Sequence, residues 1–395
     1  MVRREGVRRE GVRREGVRWH FVLWLIIGAM LSGCIEEYEA DIPAEDSDLL
    51  VVEGTICSGT LNTFILSRTQ SVNALNIPRM VVGAKVSVRG SNGSEYLTEG
   101  DQGNYSCTID TLDPDVAYCL HIEIDGEVYE SEPQKPLHTE KIADVSGVQN
   151  TPQGNIDVLV TPDEPIEADR ANYYSWTYDE TWEVHSDYTT NIYFDKDLMT
   201  RCYQYDQFPS RGWKDYANTT IIVGASRNYE GQHIKRLKMY DINRSDERMY
   251  YMYSCLVHQR AITKAEYEYE LARLQAGSEM GGLFTPQPSS LPTNIRCLTS
   301  QKRVIGFVGC SLNTTDYRFF LKASDFSISR PRGDTRKWLI GPSKEDCLGM
   351  VKKGFFLCEW IDASTPLQTA WAYQFQLDVR YKGAYIEKPD FWIYE

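Results

Sequence analysis

Cys34 is the residue whose chemistry is most clearly set by its neighbours in sequence. It closes the stretch Leu31-Ser32-Gly33-Cys34. Two small residues there would admit a signal peptidase, and the thiol behind them would take up a diacylglycerol group. The order leucine, small, glycine, cysteine looks like a bacterial lipobox, and its context agrees. Phe21 to Leu31 is an unbroken run of eleven apolar or small residues. That is too short to span a bilayer, which takes about 20 residues, and right for the core of a signal peptide. Arg18 and His20 precede it as a basic flank. The expectation is that residues 1–33 are removed and that Cys34 carries palmitate-class acyl chains. All that follows would then sit outside the cytoplasm, its membrane partner reached through the N-terminal lipid.

No other constellation names a reaction. A serine hydrolase would show a G-x-S-x-G elbow, and none is present. Gly341-Pro342-Ser343-Lys344 echoes a phosphate loop, but the leading glycine is missing and Pro342 removes a backbone donor. His121, His138, His185, His233 and His258 stand alone, and neither C-x-x-C nor zinc-type spacing occurs. No catalytic, cofactor-binding or metal-binding residue is therefore assigned, and no cofactor is expected. A glycosidase would need two carboxylates about 5 to 9 Å apart, and an acidic chain offers too many candidates to choose from. Glu180 stands out because it falls on an otherwise apolar strand face. The preferred reading is a buried acid held by hydrogen bonds. A catalytic acid, or an acid turned outward by a β-bulge, are the alternatives. Trp176 and Trp182 share that face and should be core. Exposed aromatics for stacking on sugars would come from a loop such as Tyr203 to Trp213.

The elements that must hold these residues are mainly strands. Leu49 to Glu53, Thr63 to Leu66, Ala84 to Arg89, Glu95 to Thr98, Asn104 to Ile109, Ala117 to Ile124 and Glu127 to Glu130 follow one another at sandwich spacing. Asn92-Gly93 and Asp125-Gly126 mark hairpin turns. Tyr118, Leu120, Ile122 and Ile124 alternate with Cys119, His121 and Glu123, which face the other way. The fold expected is mainly β: an immunoglobulin-like sandwich over 49–138, then a larger β-rich domain over 139–395. The second domain carries its clearest strand at Tyr174 to Val184 and one short helix near 263–276. Thr263 and Glu266 cap that helix, and Tyr267, Leu271 and Leu274 form its stripe. Further strands are expected at Arg303 to Gly309, Asp316 to Leu321, Phe355 to Ile361 and Trp371 to Tyr381.

Residues 34–48 are acidic and aperiodic, as in a tether. Ahead of the leader's apolar run, Val-Arg-Arg-Glu-Gly repeats three times from Val2 to Gly16, a pattern with no apolar face to bury. The whole chain has a net charge of −14, and the leader holds seven arginines against three glutamates, so the remainder is more acidic still. Such a body does not suit nucleic acid or adhesion to anionic lipid. There are ten cysteines. With Cys34 acylated and an oxidising compartment expected, most of the others should form disulfides.

Segments spread along the chain resemble a known family, the Bacteroidetes outer-membrane lipoproteins with the domain of unknown function numbered 4249. They are Leu50-Val51-Val52-Glu53-Gly54, Val82-Gly83-Ala84-Lys85-Val86, and Tyr173-Tyr174-Ser175-Trp176 with Glu180-Thr181-Trp182-Glu183. Ile262-Thr263 through Tyr267, Gly281-Gly282-Leu283-Phe284 with Pro286-Gln287-Pro288, Val304-Ile305-Gly306-Phe307 and Lys388-Pro389-Asp390-Phe391-Trp392 complete the set. Seven pieces in one order are specific where each alone is weak. The resemblance implies an N-terminal sandwich, a larger β-rich part and a neighbourhood of TonB-dependent receptors, but no established activity. Glu36-Glu37 resembles the acidic signal that sends such lipoproteins to the cell surface. The family's cysteine pair near the C-terminus is missing from Leu377 to Ala384, leaving Cys347 and Cys358 as its nearest counterparts.

The expected function is a non-catalytic binding or accessory module of a TonB-dependent nutrient-uptake system, with the receptor as partner and no nucleic acid. The alternatives are a carbohydrate-active surface enzyme and a purely structural envelope protein. Phe391 and Trp392 should plug the second domain's core, with Lys388 and Asp390 making polar contacts at its rim.

Overall fold

The computed structural model describes residues 48–69, 79–164, 172–190, 192–194, 200–202, 207–277, 291–330, 338–340, 343–361 and 368–393. Cys34, the leader and the tether up to residue 47 lie outside the described residues, as does the Gly281 to Pro288 segment. Strands dominate. β1 (Leu50–Cys57), β2 (Thr60–Arg68), β3 (Arg79–Met80), β4 (Lys85–Gly90), β5 (Glu95–Leu97), β6 (Glu99–Asp101), β7 (Asn104–Ile109), β8 (Tyr118–Ile124) and β9 (Glu127–Ser131) come first. Next are β10 (Ile142–Val148), β11 (Ile156–Pro162), β12 (Tyr173–His185), β13 (Ile192–Phe194), β14 (Thr200–Cys202), β15 (Arg211–Ala225), β16 (Leu237–Ile242) and β17 (Met252–Ile262). β18 (Ile295–Cys297), β19 (Val304–Ser311), β20 (Thr315–Lys322), β21 (Trp338–Ile340), β22 (Phe356–Ile361) and β23 (Gln368–Ala372) complete them.

The first core lies between two sheets, ordered β19-β1-β2-β7-β6 and β18-β9-β8-β4-β5. Alternation supplies it: Val52, Phe64, Leu66, Val88, Leu120 and Ile122 point inward and are fully buried. The Asp125-Gly126 turn closes the β8–β9 hairpin with both residues at positive φ, 53° and 78°. A contiguous 49–138 domain misses two of these strands. β19 runs parallel to β1, from Leu50↔Val304 to Cys57↔Ser311, and β18 pairs with β9. Parallel partners need a long crossover, and here the chain between them runs through the rest of the first sandwich and most of the second, with β20 alone of the second sandwich's strands following β19. The expected linker at 133–138 is pinned as well, through bridges from Gln134 to Tyr118 and from Leu137 to Ser311. Residues 48–395 accordingly form one compact unit.

The second core lies between β10-β11-β16 and the sheet β15-β12-β17-β20. Trp176, Tyr178, Trp182, Tyr253 and Val257 project into it. β12 pairs with β17 residue for residue, from Tyr173↔Ile262 to Trp182↔Tyr253. Against β15 the register shifts between Trp176 and Tyr178, and the surplus residues lie on β15. Glu180 therefore keeps the inward phase, and the outward-turning bulge does not occur.

The helix Lys264–Gly277 starts as the capping residues require, with the Glu266 backbone N–H donating to Thr263 Oγ1 at 3.1 Å. Its stripe is shorter than the spacing suggests: Tyr267 is buried, while Leu274 is exposed. Two further helices, Lys344–Lys352 and Gln374–Leu377, correct the one-helix expectation. Ser343, part of the phosphate-loop echo, caps the first of these at its N-terminus. The strand expected over Trp371 to Tyr381 stops at Ala372 and gives way to the second, where the Tyr373 backbone N–H donates to Gln376 Oε1 at 3.0 Å. Among the described residues no helix is long and apolar enough to cross a membrane.

The disulfide expectation is overturned for the described cysteines. Cys57, Cys107, Cys119, Cys255, Cys297, Cys310 and Cys347 are all free, and six of them are buried. Burial pushes the thiols of Cys255 and Cys310 up to about 12 and that of Cys119 up to about 11. Thiolate is the species that attacks a disulfide, so thiols held this way pack as small apolar groups and stay inert. Alkylation under denaturing, non-reducing conditions should label all seven of these cysteines in peptide maps. Recovering any two of them as one disulfide-linked peptide contradicts this.

Candidate functional site

The sheet β15-β12-β17-β20 has an inner face packed on the second core and an outer face that is only partly covered. Across three of its strands the register brings together groups far apart in sequence. His258 sits opposite Asp316 on β20 and beside Asp179 on β12. Its Nδ1 is 2.8 Å from Asp316 Oδ1 and its Nε2 is 3.2 Å from Asp179 Oδ2. Neither ring nitrogen faces a hydroxyl or thiol, so this is not a nucleophile activated by a base. Next to it, Asp215 on β15 accepts from Thr181 Oγ1 at 2.7 Å and from Tyr385 Oη at 3.0 Å. Burial and the Asp215 carboxylate together push the Tyr385 phenol far up, so it stays a neutral donor.

Arg318 on β20 reaches Ser254 Oγ at 3.2 Å and lies 3.5 Å above the Phe391 ring. Burial pulls this guanidinium below its ordinary value. At the far end of β12, Glu183 is buried. Burial raises its carboxyl, but hydrogen bonds from His185 and Arg211 outweigh that and hold it below the usual range.

The C-terminal segment lies on the same face. Backbone bonds of 2.8 and 2.9 Å tie Tyr385 to Trp213. Trp392 is 2 % exposed and meets Trp213 and Phe320 edge-on at 6.1 and 5.5 Å. The plug expected from sequence therefore sits on the outer face and not in the inner core. Phe391 is half-buried under Arg318. Lys388 and Asp390 are exposed, without the rim contacts expected of them among the described residues. The arrangement offers acids, hydrogen-bond donors and aromatic edges on one open surface, which suits binding by many weak contacts. Among the described residues no group of three or more His, Cys, Asp or Glu is placed to hold a metal ion.

Glu180 lies on the opposite side of this sheet. It is 2 % exposed and accepts from Arg248 Nη1 at 2.6 Å and Tyr253 Oη at 2.7 Å. Tyr253 and Tyr240 share a hydrogen bond of 2.7 Å, and Tyr240 stacks on Tyr178 at 4.1 Å. The acid is thus built into the core and does not face a second carboxylate across a cleft. Trp176 donates to Gln259 Oε1 at 2.9 Å, while the Trp182 indole N–H is buried without a partner. Of the loop considered for sugar stacking, residues 203–206 lie outside the described residues, and both Phe208 and Trp213 are buried. His258, Asp179 and Asp316 escaped sequence reasoning because only strand register unites them.

No curated protein matches this chain. A family described as "Domain of unknown function (DUF4249)" matches residues 35–316. That range takes in six of the seven segments that carried the resemblance and leaves out only Lys388 to Trp392. Because the match spans well over half of the sequence, the chain belongs to the DUF4249 family.

Proposed function

We propose that this chain is a lipid-tethered binding module on the outer membrane, acting as a non-catalytic accessory of a TonB-dependent nutrient-uptake system. The observation that carries the reading is Leu31-Ser32-Gly33-Cys34 directly behind an apolar run of signal-peptide length. Two further facts support it. The family match starts at residue 35, immediately behind Cys34. The compact unit starts at Asp48, which leaves an acidic stretch of the right place and composition for a tether. The outer face of β12, β17 and β20 supplies a surface for a cargo or a receptor loop. The TonB-dependent partner follows from what the family resemblance implies.

Cys34→Ala should move the protein from the membrane fraction to the soluble fraction and abolish incorporation of labelled palmitate, because two acyl chains supply stable anchoring. A variant that sediments with membranes as the wild type does would sink the tether. Crosslinking of the wild type in intact cells should then recover an outer-membrane receptor, and recovery of no envelope protein would remove the accessory role.

A further inference from the structure

The stretch Arg296 to Arg303 breaks the charge pattern of an acidic chain. It holds Arg296, Lys302 and Arg303 and no carboxylate. β18 ends at Cys297 and β19 begins at Val304, so Arg296 near the end of β18 and Lys302 and Arg303 in the following turn line one groove. The groove has a volume of about 580 Å³, within the ordinary range for small-ligand sites. Thr293, Cys297 and Ser300 join the cations in its walls, β18 and β19 give it an apolar floor, and no acid among the described residues lines it. Glu127 stands behind it, 3.0 Å from Lys302 Nζ, and accepts from Ser300 Oγ at 3.1 Å and Tyr129 Oη at 2.6 Å. Glu127 thus pairs with Lys302, and Glu130 stands across the ladder from Arg296.

Hydroxyls of the turn also converge on one sulfur atom in this groove. Cys297 Sγ lies 3.2 Å from Ser300 Oγ and 3.4 Å from Thr299 Oγ1. Burial raises this thiol, but those hydroxyls and the backbone N–H groups of the turn bring it below its ordinary value. Hydroxyls, backbone N–H groups and guanidinium forks are the donors an oxyanion takes.

We propose that this groove is an anion-binding site for a small ligand bearing a carboxylate, phosphate or sulfate, such as an acidic or substituted sugar. It shares no residue with the outer face of β12, β17 and β20, and its test does not depend on the lipid tether.

The test uses the full-length protein in detergent micelles at constant ionic strength. Inorganic phosphate, sulfate and galacturonate are titrated separately by calorimetry, which tells the three oxyanion sources apart. Iodoacetamide labelling of Cys297, followed by peptide mapping, reports where they bind. At least one probe should bind and slow Cys297 labelling at saturation. The double variant Arg296→Gln/Lys302→Gln should weaken that probe about tenfold or more, since two charge-assisted contacts are lost. Glu127→Gln, which releases Lys302 from its counter-ion, should tighten it. No binding by any probe, binding that leaves Cys297 labelling unchanged, or the same affinity in both variants overturns the proposal.

Discussion

Trp392→Ala should lower the unfolding free energy by about 3–5 kcal/mol, the cost of truncating a large aromatic in a closed site. The expectation rests on where the ring sits, only three residues from the end of the sequence. Chain ends fray unless something ties them down. Here the tie has three parts: the Tyr385–Trp213 backbone bridge, a turn closed by the Trp392 N–H on the Pro389 carbonyl at 2.9 Å, and the edge-on contacts with Trp213 and Phe320. Removing the ring opens a cavity over β15 and β20 and uncovers Trp213. Trp392→Phe should cost far less, because the Trp392 indole N–H has no hydrogen-bond partner to lose. Urea denaturation of the two variants and the wild type measures both. If Trp392→Ala leaves the midpoint where it was, the segment is a docking tail for a partner and not part of the fold.

Local patterning made most of the elements readable, and long-range pairing is where reading stopped. The alternation in Tyr118 to Ile124 and the Asp125-Gly126 turn marked a strand and a hairpin, because a period of two and two residues at positive φ are properties of a few neighbouring positions. Thr263 and Glu266 marked a helix start for the same reason. By contrast, β18 and β19 belong to the first sandwich although more than 160 residues separate them from β9. A strand buried on both faces reads alike wherever its partner lies. Cys119 and His121 show a related effect. Alternation assigned them to the open face of β8, yet both are buried, His121 beneath Glu123 and Glu130. The free thiols run against compartment logic because each side chain's setting is fixed by packing, which spacing does not encode. The candidate site was the least legible part. Asp179, His258 and Asp316 are each unremarkable in sequence, and the register of three strands alone makes them neighbours.

Glu180 was legible in outline, as one acid in the series Trp176, Tyr178, Trp182, but its partner was not. Arg248 lies in a short turn ahead of β17 and enters the core beside Asp246, whose carboxylate it also holds at 2.9 Å. That makes the pair asymmetric. Arg248 keeps 23 % of its side-chain exposure and a second acid, whereas Glu180 has 1 % and depends on Arg248 and Tyr253. Arg248→Met should therefore cost about 3 kcal/mol, the lower end of what breaking a buried ion pair costs, because it strands a carboxylate among apolar groups. Glu180→Gln should cost less, since Arg248 retains Asp246 and contact with water, and the amide can still accept from Tyr253. Combining the two should restore part of the loss, as no unpaired charge then remains inside. A double-mutant cycle measured by urea denaturation reads the coupling directly. Arg248→Met proving no worse than Glu180→Gln would mean that Glu180 reaches water or another cation, and the case for a purely structural acid would fail with it.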